Sequence, residues 1–123
     1  MFEPALGSWN ASPPLVTLAT LLLIAPVAEE IVFRAGLQES LGRRLSAHAG
    51  AAPLANALTA CAFAVAHLLT RPGLLAALTV LPALLVGRVY QVQRRLAPCI
   101  ALHAVFNAIW WLGFAGPVAI ASP

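Results

Sequence analysis

The sequence predicts an all-α protein, a polytopic bundle of about four membrane-spanning helices. Composition carries the first part of this expectation. Hydrophobic residues make up 61% of the 123 positions and charged residues only 9%, whereas a soluble domain has about 45–50% apolar and about 25% charged residues. The placement of the charges carries the second part. Residues 4–28, 45–70 and 96–123 contain no Asp, Glu, Lys or Arg, and residues 72–87 form a fourth, shorter neutral stretch. Length carries the third, because a bilayer core of about 30 Å needs about 20 apolar residues of helix.

The first span is expected over residues 13–33, the second over 51–70 and the fourth over 97–117. The third, residues 72–87, is 16 residues long, about 24 Å at 1.5 Å per residue. It reaches full span only if the helix continues through Arg88 and Tyr90, with Arg88 snorkelling toward the interface. Pro13, Pro14, Pro53, Pro72, Pro98 and Pro117 lie near expected helix ends. Pro26 and Pro82 fall inside helices, where neighbouring helices or water satisfy the freed carbonyls. Residues 1–12 have no basic segment and the apolar run after them carries two glutamates near its end, so the first helix is expected to be retained rather than cleaved as a signal peptide. No internal repeat or low-complexity tract divides the chain, and residues 1–123 are read as one domain.

Several classes are excluded. A disordered chain would be poor in apolar residues and rich in charge. The net charge of +3 comes from arginines spread in ones and twos, not from the basic face that nucleic-acid binding needs. Cys61 and Cys99 sit in apolar runs without CxxC spacing, so neither a disulfide framework nor a zinc knuckle is indicated. Both are expected as small buried hydrophobes.

Arginine placement sets the expected orientation. Arg43 and Arg44 fall in the first loop, Arg94 and Arg95 in the third with Arg88 nearby, and only Arg71 in the second. The first and third loops are therefore expected in the cytoplasm and both termini on the outer side.

Ionisable groups inside membrane helices are costly, about 2.5–3.5 kcal/mol each on insertion scales, and are usually paired and functional. Here Glu29, Glu30, Arg34, His67 and His103 lie inside or at the edge of spans. Glu30 and Arg34 are four apart and share a helix face, which suits an ion pair. Glu29, five before Arg34, points about 140° away, and its carboxylate is left free to face a cavity. On the second helix Phe63 and His67 are four apart; on the fourth so are His103 and Asn107. Trp110 continues the stripe of His103 and reads as an interfacial aromatic or a cavity cap. His48 reads as a solvated loop histidine.

A carboxylate, two histidines and an asparagine suit hydrolysis. A carboxylate can take a proton from water as it attacks a carbonyl, a histidine can orient that water, and His or Asn N–H groups can stabilise the oxyanion. Two histidines and a carboxylate are also a zinc triad in principle, although the HExxH spacing is absent.

Three motifs follow one another on successive apolar helices. Glu29-Glu30-Ile31-Val32-Phe33-Arg34 fits EExxxR, Phe63-Ala64-Val65-Ala66-His67 fits FxxxH, and His103-Ala104-Val105-Phe106-Asn107 fits HxxxN. Together they resemble the CPBP (CAAX-protease and bacteriocin-processing, or Abi) family of intramembrane glutamic endopeptidases, over residues 15–111. The resemblance implies that Glu29 activates water, His67 assists, and His103 with Asn107 forms the oxyanion hole. Glu30, Arg34 and Phe63 would support the site, and no metal or other cofactor would be required, although a metal-dependent mechanism has also been ascribed to the family. It further implies a membrane-anchored protein or peptide substrate, with the lipid bilayer as the constant partner. Family members usually carry further helices before the EExxxR helix; here that helix comes first, which leaves two alternatives, that a second copy or a partner helix completes the walls or that the gene model is truncated. An Ala- and Arg-rich chain without Lys points to a high-GC bacterium, hence to the bacterial inner membrane. The alternative from a different class is a non-catalytic immunity or partner protein that keeps the polar cluster for packing.

Depth along the helices agrees only in part. Glu29 lies fourteen residues before Arg43 and His67 thirteen after Leu54, but His103 only eight after Arg95, or about 21, 20 and 12 Å. Reporter fusions test the orientation. Fusions after Arg44 and after Arg95 are expected to report cytoplasm and one at Pro123 the outer side; a cytoplasmic C-terminus would overturn the four-span count or the orientation.

Overall fold

The computed structural model describes residues 15–115, which form helices and turns with no strand. Four helical rods account for them: α1 (Leu15–Arg44), α2 (Ala51–His67), α3 (Gly73–Gln93) and α4 (Leu96–Gly113). α1, α3 and α4 are each long and apolar enough to cross a membrane, and α2 is a shorter apolar helix of 17 residues. The chain is thus a helical membrane bundle of about four helices. Pro13, Pro14 and Pro117, the start at residues 1–12 and the far end of the fourth expected span lie outside the described residues.

The lengths differ from the sequence expectation in three places. α1 does not stop at Phe33 but runs 30 residues to Arg44, because the polar groups beyond Phe33 are bonded inside the bundle. α3 reaches 21 residues by continuing past Gly87 through exposed Arg88 to Gln93. α2 ends at His67 because the backbone N–H groups of Leu68, Leu69 and Thr70 turn back onto Val65, Ala66 and His67.

Two wide π turns interrupt α1, at Thr20–Ile24 and Ile31–Gln38. The first precedes Pro26. Proline has no N–H and its ring crowds the carbonyl four residues back; the widened turn, in which the Ala25 N–H reaches Thr20 O, absorbs this. The second begins directly after Glu30 and contains Arg34, in keeping with the frequent use of π turns at functional sites. α3 breaks at Thr79, three residues before Pro82, and the Thr79 hydroxyl donates to Ala76 O at 2.6 Å.

The bundle is polar within and apolar without. Arg34, Glu30 and Thr59 are among the largest fully buried side chains, while Leu15, Leu69 and Leu74 point outward. Water would penalise this arrangement; hydrocarbon favours it. Small residues (Ala55, Ala60 and Ala64 of α2, Ala76, Ala83 and Gly87 of α3) are buried and let helices approach closely. One apolar cluster joins Ala60, Phe63 and Ala83, and a second joins Val86, Tyr90 and Cys99. Cys99 is buried as expected. Cys61 is not: it is exposed on the outward side of α2, where an apolar side chain meets lipid rather than protein.

Polar links tie α1 and α2 to the backbone of α3. Gln38 Nε2 donates to Gly87 O and Asn56 Nδ2 to Leu84 O, both at 3.0 Å. At the end of α3, Arg94 adopts a left-handed conformation (φ 54°) that turns its N–H back onto Tyr90 O at 2.8 Å. Its guanidinium donates to both carboxylate oxygens of Glu39 at 2.8 and 2.9 Å.

Gly87 is where these links leave no room for a side chain. A Cβ there would overlap the Asn56 amide and press to 2.9 Å from Gln38 Oε1. Gly87→Ala is therefore expected to cost about 1–3 kcal/mol by overpacking, read as a lower Tm of the detergent-solubilised protein. An unchanged Tm would show that the α2–α3 contact relaxes freely.

Candidate active site

Glu29 and Glu30 end the regular helical stretch of α1 between its two π turns, and Arg34 lies in the second π turn. Glu30 Oε2 accepts from Arg34 Nε at 2.9 Å, and both side chains are fully buried. Arg34 Nη1 donates to Gln38 Oε1 at 3.1 Å. The stripe is thus one residue longer than the motif: Glu30, Arg34 and Gln38, each four apart. Gln38 was not singled out from the sequence, although its spacing was legible there.

His103 of α4 sits between the two glutamates. Its Nδ1 lies 2.7 Å from Glu30 Oε1 and its Nε2 lies 3.3 Å from Glu29 Oε2. A carboxylate bonds here only as acceptor, so Nδ1 carries a hydrogen and donates it to Glu30. Glu30 accordingly has both oxygens engaged, one by Arg34 and one by His103. Glu29 differs. Its Oε2 is buried with no hydrogen-bond partner, so the His103 Nε2 is near it but off the line a hydrogen bond requires. The sequence expectation assigned Glu30 to Arg34 alone; His103 is the additional partner.

His67, at the end of α2, lies 2.8 Å through Nδ1 from Phe63 O. A carbonyl can only accept, so Nδ1 donates, and in the neutral ring Nε2 keeps its lone pair. Phe63 packs between the two histidines, with ring centroids 4.2 Å from His67 and 5.7 Å from His103. Asn107 Nδ2 donates to Leu21 O at 2.9 Å, a carbonyl within the first π turn. The Asn amide has a second N–H.

These groups surround a cavity of ≈ 230 Å³ lined by Glu30, Arg34, His67, His103 and Asn107 among others. Glu29, expected to face the cavity, is not on its wall: the neighbouring Glu30 lines it instead, and Glu29 adjoins His103 with its side chain about one-third exposed. Trp110 and Arg71 also line the cavity, and the Arg71 guanidinium stacks on the Trp110 ring at 4.3 Å. Burial pulls the Arg71 pKa below its ordinary value, and the charge of Glu29 acts in the opposite direction. Arg71 was read from the sequence only as a loop charge; nothing in its spacing ties it to the site. His48 is exposed in the loop between α1 and α2, as expected. Among the described residues no group of three His, Cys, Asp or Glu side chains is arranged to hold a metal ion.

The family model described as type II CAAX prenyl endopeptidase Rce1-like matches residues 11–109. The chain belongs to this family. All three motifs fall within the matched residues. No curated protein and no solved structure matches the chain. Membership in the Rce1-like family supports a protease, a hydrolase, at family level, and with the three long apolar helices an integral membrane protein in a lipid bilayer.

The buried pair is expected to hold the bundle. Removing one member strands the other charge, at a cost of about 3–5 kcal/mol. Glu30→Gln and Arg34→Ala should each lower expression or Tm markedly. Full stability of Arg34→Ala in the same lipid would show that Glu30 needs no cation.

Proposed function

We propose that this Rce1-like protein is an intramembrane endopeptidase that cleaves a peptide bond of a membrane-associated protein or peptide, with Glu29 as the base that activates water. The single observation that carries this reading is the unpartnered, buried Oε2 of Glu29, 3.3 Å from His103 Nε2, beside a neighbour whose two oxygens are both engaged. A carboxylate with a free oxygen can accept a proton. One held by Arg34 and His103 is committed to structure.

The steps follow from the donors and acceptors. Water is held by the lone pair of His67 Nε2 and gives a proton to Glu29 as its oxygen attacks the scissile carbonyl. The carbonyl oxygen gains negative charge and is met by the second N–H of Asn107 and by His103 Nε2–H. With Nδ1–H already donated to Glu30, that second hydrogen makes His103 an imidazolium, whose charge the two glutamates offset. The proton on Glu29 then passes to the departing amine, and C–N cleavage regenerates the carboxylate. Removing one such oxyanion donor typically lowers kcat about 10²–10³-fold.

The substrate enters from lipid, because the cavity lies within the bundle and its wall is largely apolar beyond the polar cluster. A bacterial inner membrane and completion of the walls by a second copy or partner helix belong to the same reading. The non-catalytic alternative, an immunity or partner protein, is less favoured: Asn56 Oδ1 and Thr59 Oγ1 are also left unpaired, but only Glu29 combines an unpaired oxygen with a neighbouring cavity lined by two histidines and an asparagine.

Glu29→Gln keeps size and removes the base. Near-complete loss of cleavage is expected, with normal insertion and a Tm close to the parent. Measured at matched protein level in the same lipid, a cleaving Glu29→Gln beside a stable but inactive Glu30→Gln would reverse the roles of the two carboxylates. Full cleavage by Glu29→Gln, His67→Ala and Asn107→Ala alike would remove the enzymatic reading of this cluster.

A further inference from the structure

The far end of the bundle holds a second cavity that peptide hydrolysis does not use. It lies between the end of α1, the start of α2 and the end of α3, has a volume of ≈ 380 Å³, and is walled by Arg43, Ser46, Tyr90 and Arg94 with Glu39 among them. Its α2 side is lined by alanines that leave the space open, Ala55 buried at the back and Ala52 exposed at the rim. We propose that this cavity binds the phosphate of an anionic phospholipid headgroup.

Charge is the first support. Arg43, Arg44, Arg94 and Arg95 gather at this end, and Glu39 is the acid facing them in the cavity. Glu39 does not oppose an anion freely. Both its oxygens accept from Arg94, and one also accepts from the Tyr90 hydroxyl at 3.3 Å. Arg43, by contrast, stands 3.6 Å from Glu39 and 3.5 Å from Ser40 Oγ, with its side chain two-thirds exposed. Its planar fork of donors is therefore largely unspent, and such a fork suits the geometry of phosphate oxygens.

Position is the second support. The cavity opens where α1 and α3 end, the level at which a spanning helix meets headgroups. Basic pockets between helices at that level recognise lipid phosphates. The outward faces of the same helices are apolar, so acyl chains have a surface to lie on while the headgroup enters the cavity. A soluble phosphate would gain the charge contact without that second surface, which is why the lipid is the preferred source.

The test uses the purified full chain in neutral detergent. Phosphatidylglycerol, phosphatidylcholine and inorganic phosphate are titrated separately, with Tm and bound-lipid mass as readouts. Phosphatidylglycerol is expected to raise Tm saturably with one molecule retained, and the other two to act only at far higher concentration. Arg43→Gln should weaken the apparent affinity about tenfold, while Arg44→Gln, equal in net charge but off the cavity wall, should change it by less than about threefold. Ala52→Leu fills the cavity without changing charge and should abolish saturation. Arg43 and Ala52 are peripheral, and each variant is referred to its own lipid-free Tm. Equal losses for Arg43→Gln and Arg44→Gln would reduce the effect to diffuse surface attraction and overturn the site. Inorganic phosphate binding as tightly as the lipid, or phosphatidylcholine matching phosphatidylglycerol, would overturn the lipid assignment.

Discussion

Everything in the bundle is arranged around one buried carboxylate. Glu30 is wholly removed from solvent, and both its oxygens are matched by donors on two helices, Arg34 Nε from α1 and His103 Nδ1 from α4. Between helices in lipid the hydrophobic effect supplies little attraction, because lipid tails are as apolar as leucine. Specific polar links and close packing must then decide which helix faces meet. Arg34 passes the connection to Gln38, and Gln38 passes it to the backbone of α3 at Gly87. A single carboxylate thus orders α1 against α4 directly and against α3 through two side chains.

Irregular backbone serves the same centre. A regular α1 would have to take Pro26 without relief and carry Arg34 and Gln38 on a narrower turn. The two π turns of α1 absorb the proline and widen the stretch that holds the polar stripe. The first of them contains Leu21, whose carbonyl receives the amide of Asn107. One wide turn therefore carries Arg34 and Gln38, which hold Glu30 and the α3 backbone, and the other supplies the carbonyl that holds the asparagine. Thr79 and Pro82 break α3 beside the same cavity, which both residues line.

Much of this was legible in the chain. The ion pair followed from four-residue spacing, the converging histidines from their faces, and the membrane setting from the neutral stretches. What failed to follow was depth. Counting from Arg43 and Arg95 left His103 too shallow by nearly two helical turns. The relevant marker on α1 is Glu39, not Arg43, because Arg94 pairs with Glu39 and the last turn of α1 extends beyond the α3–α4 connection. Nine residues then separate Glu30 from Glu39, and nine separate Arg94 from His103. The antiparallel helices are matched at both pairs, 2.7 Å at one and 2.8 Å at the other. A long-range ion pair between exposed residues has no local signature, so sequence spacing could not supply that register. Arg71 was hidden for a similar reason: its partner Trp110 is on another helix, and neither residue announces the other.

Two adjacent carboxylates at one site look redundant until their directions are considered. Successive helical residues point about 100° apart, so Glu29 and Glu30 cannot serve the same partner from the same side. His103 resolves the geometry by lying between them, one ring nitrogen toward each. The inner carboxylate fixes the ring: it holds Nδ1–H and thereby dictates that Nε2 is the nitrogen presented to Glu29. The outer carboxylate is left with an unpaired oxygen because the nearest arginine on its own helix, Arg34, is already engaged by Glu30. Moving Arg34 by a single position would neutralise the wrong glutamate and free the one that holds the helices together. The spacing of the arginine, more than the presence of two glutamates, is what separates the fully paired carboxylate from the one left with an unpaired oxygen in this fold.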